Sequence, residues 1–321
     1  MEMLKYFKAL SDLTRLRLVN VLLHHELSVN ELVTLTAMGQ SRISRHLKIL
    51  MDSEILDCRR DGVWAFYSVS RHSDGRKFID AVKYLFEEKA PLTQDLLTAR
   101  RLIEDRKVKT MQFFNTIAQN WDHLKQDILG RFDLNAAILN HMPSCSTAVD
   151  LGCGTGELLI HMTSAASHII GVDSSAKMID QARQRFINTP ISPDLRLGEL
   201  EHLPLSDSEA DCAVISMVLH HMSNPVAAML EINRILKPGG ALIIADFEKH
   251  TNETMRNTYG DRWLGFHRHE ISDFLDASGF SLTHAQTYPL HQNLTLNIFY
   301  AEKLMHNKGE THEYTSNKRF S

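Results

Sequence analysis

Residues 149–159 read VDLGCGTGELL, in which an apolar strand runs into three closely spaced glycines and then into a helix. Gly152, Gly154 and Gly156 permit a turn in which residues with a Cβ would clash. Such a loop directs backbone N–H groups at a ligand beside a helix N-terminus, where partial positive charge gathers. The stretch therefore predicts an α/β domain that binds a nucleotide.

The glycine spacing and Asp150 narrow the kind of nucleotide. Dinucleotide-binding folds carry G-x-G-x-x-G, whereas the spacing here is G-x-G-x-G. The loop also lacks the lysine followed by serine or threonine that a triphosphate-binding loop needs. Asp150 would repel a pyrophosphate but suits a ligand with a cationic amino group. We therefore expect a nucleotide that carries positive charge.

Two further carboxylates follow apolar, strand-like runs downstream of the loop. Asp173 comes at the end of the HIIGV run, where it can accept both hydroxyls of a ribose, and Glu199 lies just past the LRL run from Leu195. Taken singly, either acid could be a helix N-cap. Their joint placement at the ends of successive strands favours contact with a ligand, because open α/β sheets bind ligands there.

Three later motifs follow in an order that is typical of one enzyme family. They are DCAVISMVLHHMSNP from Asp211, AAMLEINRILKPGG from Ala227 and ALIIADF from Ala241. With the glycine loop and the two acidic residues, they resemble the class I S-adenosylmethionine-dependent methyltransferases over residues 108–304. Within that family the chain resembles the small-molecule subgroup that includes the ubiquinone/menaquinone-biosynthesis enzymes.

The resemblance implies a Rossmann-like α/β fold, S-adenosylmethionine as cofactor and S-adenosylhomocysteine as product. It implies that Asp150 and the loop hold the methionine end, that Asp173 takes the ribose and that Glu199 reads the adenine edge. Met178 either packs on the adenine or belongs to the core. The residues that the resemblance places at the cofactor are Asp150, Gly152, Cys153, Gly154, Gly156, Asp173, Ser174, Met178, Glu199, Leu200 and Ser216.

Residues 1–90 have a different pattern, that of a winged helix-turn-helix. Ser11 can cap the first of two helices, and Ser28 with Glu31 forms a capping-box pattern at the second. In the helix that follows, the apolar residues fall on one face and the polar and basic residues on the rest. Asp61-Gly62 is predicted to be a two-residue hairpin turn between two β-prone runs.

This segment resembles the ArsR-type bacterial transcriptional repressors, through FKALSDLTRLRLVNVL, SRISRHLKIL and RRDGVWAFY. The resemblance implies that the SRISRHLKIL helix enters the major groove of an operator and that the wing arginines lie along phosphates or the minor groove. The implied DNA-binding residues are Gln40, Ser41, Arg42, Ser44, Arg45, Lys48, Arg59 and Arg60. The alternative is an ordinary solvated helix face. Since the net charge of the chain is −4, DNA binding is argued from these motifs and not from bulk charge.

Several features limit the other partners that we expect. Ser28 and Asn30 stand where metal-sensing repressors have cysteines, and the histidines show no metal-ligand spacing, so we expect no metal. The four cysteines are dispersed, which indicates a reducing compartment. A signal-like apolar core and a run long enough to span a membrane are both missing, so a cytoplasmic, soluble protein is expected.

The sequence thus predicts a winged domain over residues 1–90, a helical linker over 91–107, a methyltransferase domain over 108–304 and a disordered tail over 305–321. The last helix of the winged domain is expected to pack against the same helix of a second chain and so form a homodimer. Residues 247–268 are expected to contribute to a substrate lid.

Catalytic residues are the least defined part of this prediction. His220 or His221 could take a proton from an acceptor, or hold only a structural hydrogen bond. Two functions from different classes stay open. The chain is either a DNA-binding regulator fused to an active small-molecule methyltransferase, or a repressor that senses S-adenosylmethionine or S-adenosylhomocysteine without catalysis. A catalytic domain with an N-terminal oligomerisation module is a third alternative.

Overall fold

The computed structural model describes residues 3–86 and 90–305 of the 321-residue chain. The chain divides into two compact units. Unit 1 comprises the residues up to Phe113 together with Lys249–Leu264, and unit 2 comprises Phe114–Glu248 and the residues from Gly265 onward. The tail for which the sequence predicts disorder lies outside the described residues, except for Met305.

Unit 1 has the helix-turn-helix that the sequence predicts. Its helices are α1 Met3–Leu10, α2 Leu13–Leu22, α3 Val29–Thr36, α4 Gln40–Asp52, α5 Asp74–Val82 and the first part of α6 Leu92–Ile117. Its strands are β1 Leu27–Ser28, β2 Leu56–Asp61 and β3 Trp64–Val69, which pair antiparallel in the order β1-β3-β2. The β2–β3 hairpin is the wing.

Local sequence signals account for these helices, with one correction. The capping box at α3 is present, with Ser28 and Glu31 each bonding the other's backbone. Ile43, Leu47 and Leu50 of α4 are fully buried, as the predicted apolar face requires. The prediction that Ser11 caps α2 is wrong, because Asp12 accepts the hydrogen bond from the backbone N–H of Arg15.

The wing turn lies one residue later than the sequence predicts. Asp61 pairs with Trp64 in the β2–β3 ladder, so the two turn residues are Gly62 and Val63. Gly62 adopts a φ of +56°, a conformation that favours glycine. Asp61 belongs to the strand and is completely buried, which an exposed turn residue would not be.

Unit 2 is built on a seven-stranded sheet with the order β6-β5-β4-β7-β8-β10-β9. The strands are β4 Cys145–Leu151, β5 Ala166–Asp173, β6 Asp194–Leu197, β7 Ala210–Ser216, β8 Leu236–Phe247, β9 Phe280–Pro289 and β10 Thr295–Lys303. The first five strands of that order run parallel, and β10 pairs antiparallel with both β8 and β9. This mixed sheet is typical of the Rossmann-like class I methyltransferase fold, and the predicted fold class is confirmed.

Helices α7 Trp121–Leu129 and α8 Leu134–Leu139 precede the sheet. Helices α9 Glu157–Met162, α10 Ala176–Phe186 and α11 Pro225–Ile235 connect its parallel strands. After β8 the chain forms α12 Thr254–Tyr259 in the segment that belongs to unit 1, and α13 Arg268–Ala277 lies again in unit 2. The residues of the central strands are mostly buried, as is usual for parallel sheets. Within the described residues, no helix is both long and apolar enough to cross a membrane.

Candidate functional site

The predicted cofactor residues of unit 2 lie at one edge of its sheet. Strands β4, β5, β6 and β7 run parallel, so their carboxyl ends meet at the same edge. The glycine loop follows β4, Asp173 ends β5, Glu199 comes two residues after β6, and Ser216 ends β7. The structure therefore brings the predicted set together.

The glycine loop has the backbone that only glycine adopts easily. Gly152 and Gly156 both have a φ of +78°. A Cβ on Gly152 would lie 2.5 Å from Cγ2 of Val218, and one on Gly156 would lie 3.1 Å from Cβ of Ala182 in α10. The first glycine thus allows the loop to approach the residues after β7, and the third allows a close helix contact.

Asp173 fastens the loop to the next strand. Its Oδ2 accepts a hydrogen bond from the Gly154 N–H at 2.9 Å, and its Oδ1 accepts one from the Ser175 N–H at 2.8 Å. Burial raises the pKa of the Asp173 carboxyl, although these N–H donors act to lower it. Ser175, not Asp173, is the N-cap of α10. Each Asp173 oxygen still has a second lone pair with which to accept a hydroxyl.

Asp150 is a buried carboxylate beside the glycine loop. It is 2% exposed, and burial raises its pKa to about 7, with the Asp173 charge acting in the same direction and Lys125 against it. Burying an ionised acid is costly unless a cation approaches it. The buried carboxylate therefore fits a ligand with a positively charged amino group beside the loop.

The other predicted cofactor residues differ in exposure. Met178 and Leu200 are buried, Ser174 and Ser216 are half-buried, and Glu199 is exposed and bridges to His202. Cys153 is buried, and burial raises the pKa of its thiol well above the usual range.

Residues before the sheet, which the sequence reasoning did not single out, enclose the loop. A Cβ on Gly154 would lie 3.4 Å from Nε1 of Trp121, so this ring lies directly against the loop. The Asn115 Oδ1 accepts from the Ser175 hydroxyl at 2.7 Å. The Thr155 hydroxyl donates to Asp122 at 2.5 Å. The mixed polar and aromatic run around residues 113–122 is the sequence signal that indicates such contacts.

His220 forms a buried pair that is the second element of this site. It lies in a 3₁₀ turn after β7, and Asp246 lies near the end of the adjacent strand β8. Their side chains are 3% and 2% exposed, and His220 Nδ1 lies 2.7 Å from Asp246 Oδ1. Asp246 also accepts from the His220 and Phe247 N–H groups, at 3.3 and 2.7 Å. An acceptor at Nδ1 fixes the ring tautomer and places the lone pair on Nε2.

His221 has different surroundings from His220. Its ring packs edge-on against Phe114, with centroids 4.8 Å apart, and Phe114 in turn meets Trp121 edge-on at 5.5 Å. Of the two candidate histidines, His220 is the one that a carboxylate orients. Asp246 is not among the residues predicted for the site, and it lies in the ALIIADF run that begins at Ala241.

In unit 1 the predicted DNA-binding helix presents its polar face to solvent. All six predicted residues of α4 are exposed, namely Gln40, Ser41, Arg42, Ser44, Arg45 and Lys48. The two wing arginines differ, since Arg60 is exposed whereas Arg59 pairs with Glu26 at 3.2 Å and lies 3.8 Å from the ring centroid of Trp263. The predicted DNA-binding residues of α4 are therefore solvent-exposed, whereas one of the two wing arginines already has partners within unit 1.

Two families match separate parts of the chain. Residues 12–57 match the family described as bacterial regulatory protein, arsR family. Residues 149–244 match the family described as methyltransferase domain. The chain therefore combines an ArsR-family helix-turn-helix region with a methyltransferase domain.

Similar proteins include small-molecule methyltransferases. A demethylmenaquinone methyltransferase from Lactiplantibacillus plantarum is 35% identical over 40% of this chain and 59% of that protein. A ubiquinone/menaquinone biosynthesis C-methyltransferase from Cellvibrio japonicus is 24% identical over 60% of this chain and 82% of that protein. An uncharacterised 37.1 kDa protein in transposon TN4556 of Streptomyces fradiae is 42% identical over 31% of this chain and 30% of that protein. The chain thus spans less than two thirds of the first and third of these relatives.

A solved structure supports the fold alone. A chain in the complex between the Haloferax volcanii Trm112 methyltransferase activator and a methyltransferase is 20% identical, with a TM-score of 0.50, and the match covers 58% of this chain and 96% of that chain.

Proposed function

We propose that this protein is a bacterial transcriptional regulator, acting in the cytoplasm, whose methyltransferase domain uses S-adenosylmethionine to methylate a small molecule. The observation that carries the proposal is the buried Asp150 carboxylate beside a glycine loop that Asp173 holds. In this proposal residues 1–90 form the DNA-binding domain, 91–107 a helical connector and 108–304 the methyltransferase domain.

The residues at the sheet edge have separate roles in this proposal. Asp150 accepts the amino group at the methionine end, Asp173 accepts the ribose hydroxyls and Glu199 accepts the adenine amino group. When bound, S-adenosylmethionine supplies a methyl group activated by a sulfonium, and the transfer depends mainly on proximity and orientation. The buried Trp121–Gly154 contact helps to exclude water from the loop.

His220 is the general base in this proposal. Asp246 orients its ring through the 2.7 Å contact at Nδ1, so that Nε2 takes the proton from a hydroxyl or an acidic carbon of the acceptor. The acceptor class is accordingly a small molecule that becomes a better nucleophile when it loses a proton. Support for a small molecule also comes from the quinone-biosynthesis relatives.

A second candidate function is favoured by the burial of that same pair. His220 and Asp246 are 3% and 2% exposed, which leaves little of either side chain open to an acceptor. In this alternative the domain binds S-adenosylmethionine or S-adenosylhomocysteine and changes DNA affinity without catalysis, through different affinities of the ligand for two states.

Cofactor affinity should fall as the pH falls below about 7, the pKa of Asp150 in the free protein. The protonated acid cannot accept a cationic amino group, while a bound cation favours the ionised acid, so binding releases a proton below this pH. The dissociation constant should therefore rise by up to about tenfold per pH unit on the acidic side. Calorimetry with S-adenosylmethionine checks this, and Asp150→Asn should bind weakly with a flat pH profile. A flat profile for the unchanged protein would contradict the role of Asp150.

DNA binding should depend on the exposed face of α4. Arg45→Ala is expected to weaken binding to the DNA upstream of the protein's own coding sequence by about 1–3 kcal/mol, because a base or phosphate contact is lost. Fluorescence anisotropy measures the change, and Lys77→Ala is the control, since Lys77 is an exposed base of α5 that pairs with Asp74. Equal effects of the two substitutions would speak against α4 as the recognition helix.

One experiment separates the two candidate functions. The same anisotropy measurement is made with S-adenosylmethionine and then with S-adenosylhomocysteine, while conversion of the first into the second is followed with a panel of phenolic and quinol acceptors. Turnover supports the enzyme, and a ligand-dependent affinity without turnover supports the sensor. If calorimetry detects binding of neither nucleotide, both functions are excluded.

The proposed homodimer has support in the exposed apolar residues of unit 1. Phe7 of α1 and Tyr84, just after α5, are 54% and 64% exposed, although both are large apolar side chains. Phe7 packs edge-on against Phe78 of α5, with ring centroids 5.1 Å apart. Exposed aromatic side chains beside α5 support an association surface there, and α5 is the helix for which the sequence predicts that role.

A further inference from the structure

The tip of the wing is enclosed by residues that lie far away in the sequence. Asp61 is completely buried and forms ion pairs with Lys249 and Arg256. Its Oδ1 also accepts from the backbone N–H of Leu264 at 3.0 Å. Glu253 accepts from the backbone N–H of Val63 at 3.0 Å. We call Lys249–Leu264 the clamp segment, because it holds both sides of the wing turn.

The clamp segment also engages one of the two wing arginines. Trp263 is fully buried, its ring packs edge-on against Phe66 at 4.5 Å, and the Arg59 guanidinium lies 3.8 Å from its centroid. Arg59 is bound on its polar side as well, by both oxygens of Glu26 at 3.2 Å. Arg60, its neighbour in β2, points to the opposite face of the strand and is exposed.

We propose that the clamp segment is an autoinhibitory element that occupies the wing turn and withholds Arg59 from DNA. The proposal deepens the regulator function given above and rests on it. With the clamp in place, α4 and Arg60 are available to DNA. When the clamp segment leaves the wing turn, Arg59 and the backbone N–H groups of the turn also become available to DNA.

The clamp segment buries a cation without complete pairing, and this lowers the free energy that is needed to release the segment. Among the described residues, Nε and Nη2 of Arg262 are buried without a hydrogen-bond acceptor. Burial and the neighbouring guanidiniums lower the pKa of Arg262 to about 9. Buried cations that lack full pairing offset part of the stability gained from burying Trp263. When the clamp segment is released into solvent, its buried cation regains its hydration. The free-energy difference between the clamped and released states is therefore smaller than the contacts alone suggest.

The chain geometry allows the clamp to be removed cleanly. The ends of the segment lie together, because His250 N–H donates to the Leu264 carbonyl at 3.0 Å. Just outside it, Phe266 N–H donates to the Phe247 carbonyl at 3.0 Å. A short glycine linker can therefore replace Lys249–Leu264 without stretching the strand that precedes it.

The test measures how DNA affinity depends on salt in six proteins. They are the unchanged chain, the linker variant, the double variant Lys249→Ala/Arg256→Ala, and each of these three with Arg59→Gln as its partner protein. The probe is a labelled duplex from upstream of the protein's own coding sequence, with a scrambled duplex of the same length beside it. Each new phosphate contact should steepen the slope of log affinity against log salt by about 0.9.

The expected pattern is specific to a withheld arginine. Both release variants bind either duplex more tightly and with a steeper salt slope than the unchanged chain. Arg59→Gln cancels that gain in the release variants and leaves the unchanged chain as it was. If the clamp segment were only structural, Arg59→Gln would not change the salt slope in the release variants while leaving it unchanged in the unchanged chain.

Two outcomes overturn the proposal. One is that folded release variants show no gain in affinity or slope. The other is that Arg59→Gln weakens DNA binding in the unchanged chain, a result that decides the matter even if both release variants fail to fold. Calorimetry of S-adenosylmethionine binding is run on every variant, so that failure of the cofactor site is recognised separately from failure of the clamp.

Discussion

Replacing Asp61 with alanine is expected to lower the free energy of unfolding of unit 1 by about 3–5 kcal/mol. Asp61 is 0% exposed and is the common partner of Lys249 and Arg256, whose side chains are only 14% and 11% exposed. Removing the carboxylate leaves two enclosed cations with less compensation, and it leaves the Leu264 N–H without its acceptor. The loss of stability arises from the two cations that are left without a partner, and it is larger than the net stabilisation by the intact ion pairs.

Chemical denaturation followed by tryptophan fluorescence measures this loss. The protein has three tryptophans, Trp64 and Trp263 in unit 1 and Trp121 in unit 2, so a Trp121→Phe background reports on unit 1. The matched control in unit 1 is Asp74→Ala, which removes the 65% exposed partner of Lys77 and should cost less than about 1 kcal/mol. Equal losses for the two substitutions would mean that the Asp61 cluster does not stabilise unit 1.

Replacing Asp173 with alanine is expected to weaken S-adenosylmethionine binding by about 2–5 kcal/mol, which is a factor of at least about 30. The substitution removes the proposed acceptor of the ribose hydroxyls. It also strands the N–H groups of Gly154 and Ser175, which Asp173 now accepts at 2.9 and 2.8 Å. Loss of the Gly154 contact loosens the loop that the methionine end would lie against, so two contributions to affinity fall together.

Calorimetry with S-adenosylmethionine checks this second expectation. Asp194→Ala is the control, since Asp194 begins β6, at the opposite end of its strand from the candidate site, and pairs with Arg196. Circular dichroism confirms that each variant is folded. Undiminished affinity in folded Asp173→Ala would remove Asp173 from the cofactor site.

The parts that the sequence predicts well are those with local signals. The glycine loop, the capping box at Ser28 and the buried face of α4 each depend on residues within a few turns of one another. Strands β4, β5 and β6 of unit 2 were predicted from apolar runs that each precede a glycine or an acidic residue. These patterns were sufficient to predict the fold class and the edge of the unit 2 sheet at which Asp150 and Asp173 lie.

The parts that it missed depend on contacts between distant residues. His220 pairs with Asp246, 26 residues away, and nothing in either local stretch distinguishes that aspartate from an ordinary strand residue. Asp61 and Lys249 are 188 residues apart. Because Asp61 is fixed by that distant pair, it stays in the β2 ladder and shifts the wing turn to Gly62 and Val63. The segment expected to contribute to a substrate lid belongs to unit 1 for the same reason.

The discontinuity of unit 1 has a consequence for the time at which the protein can act. Its helix-turn-helix is synthesised first, but the residues that bury Asp61 follow only after most of unit 2 has been made. At about 5–20 residues per second, the ribosome needs roughly 8–30 s to travel from Phe113 to Leu264. During that interval a nascent wing has no clamp segment. Unit 1 is therefore complete only once most of unit 2 has been translated.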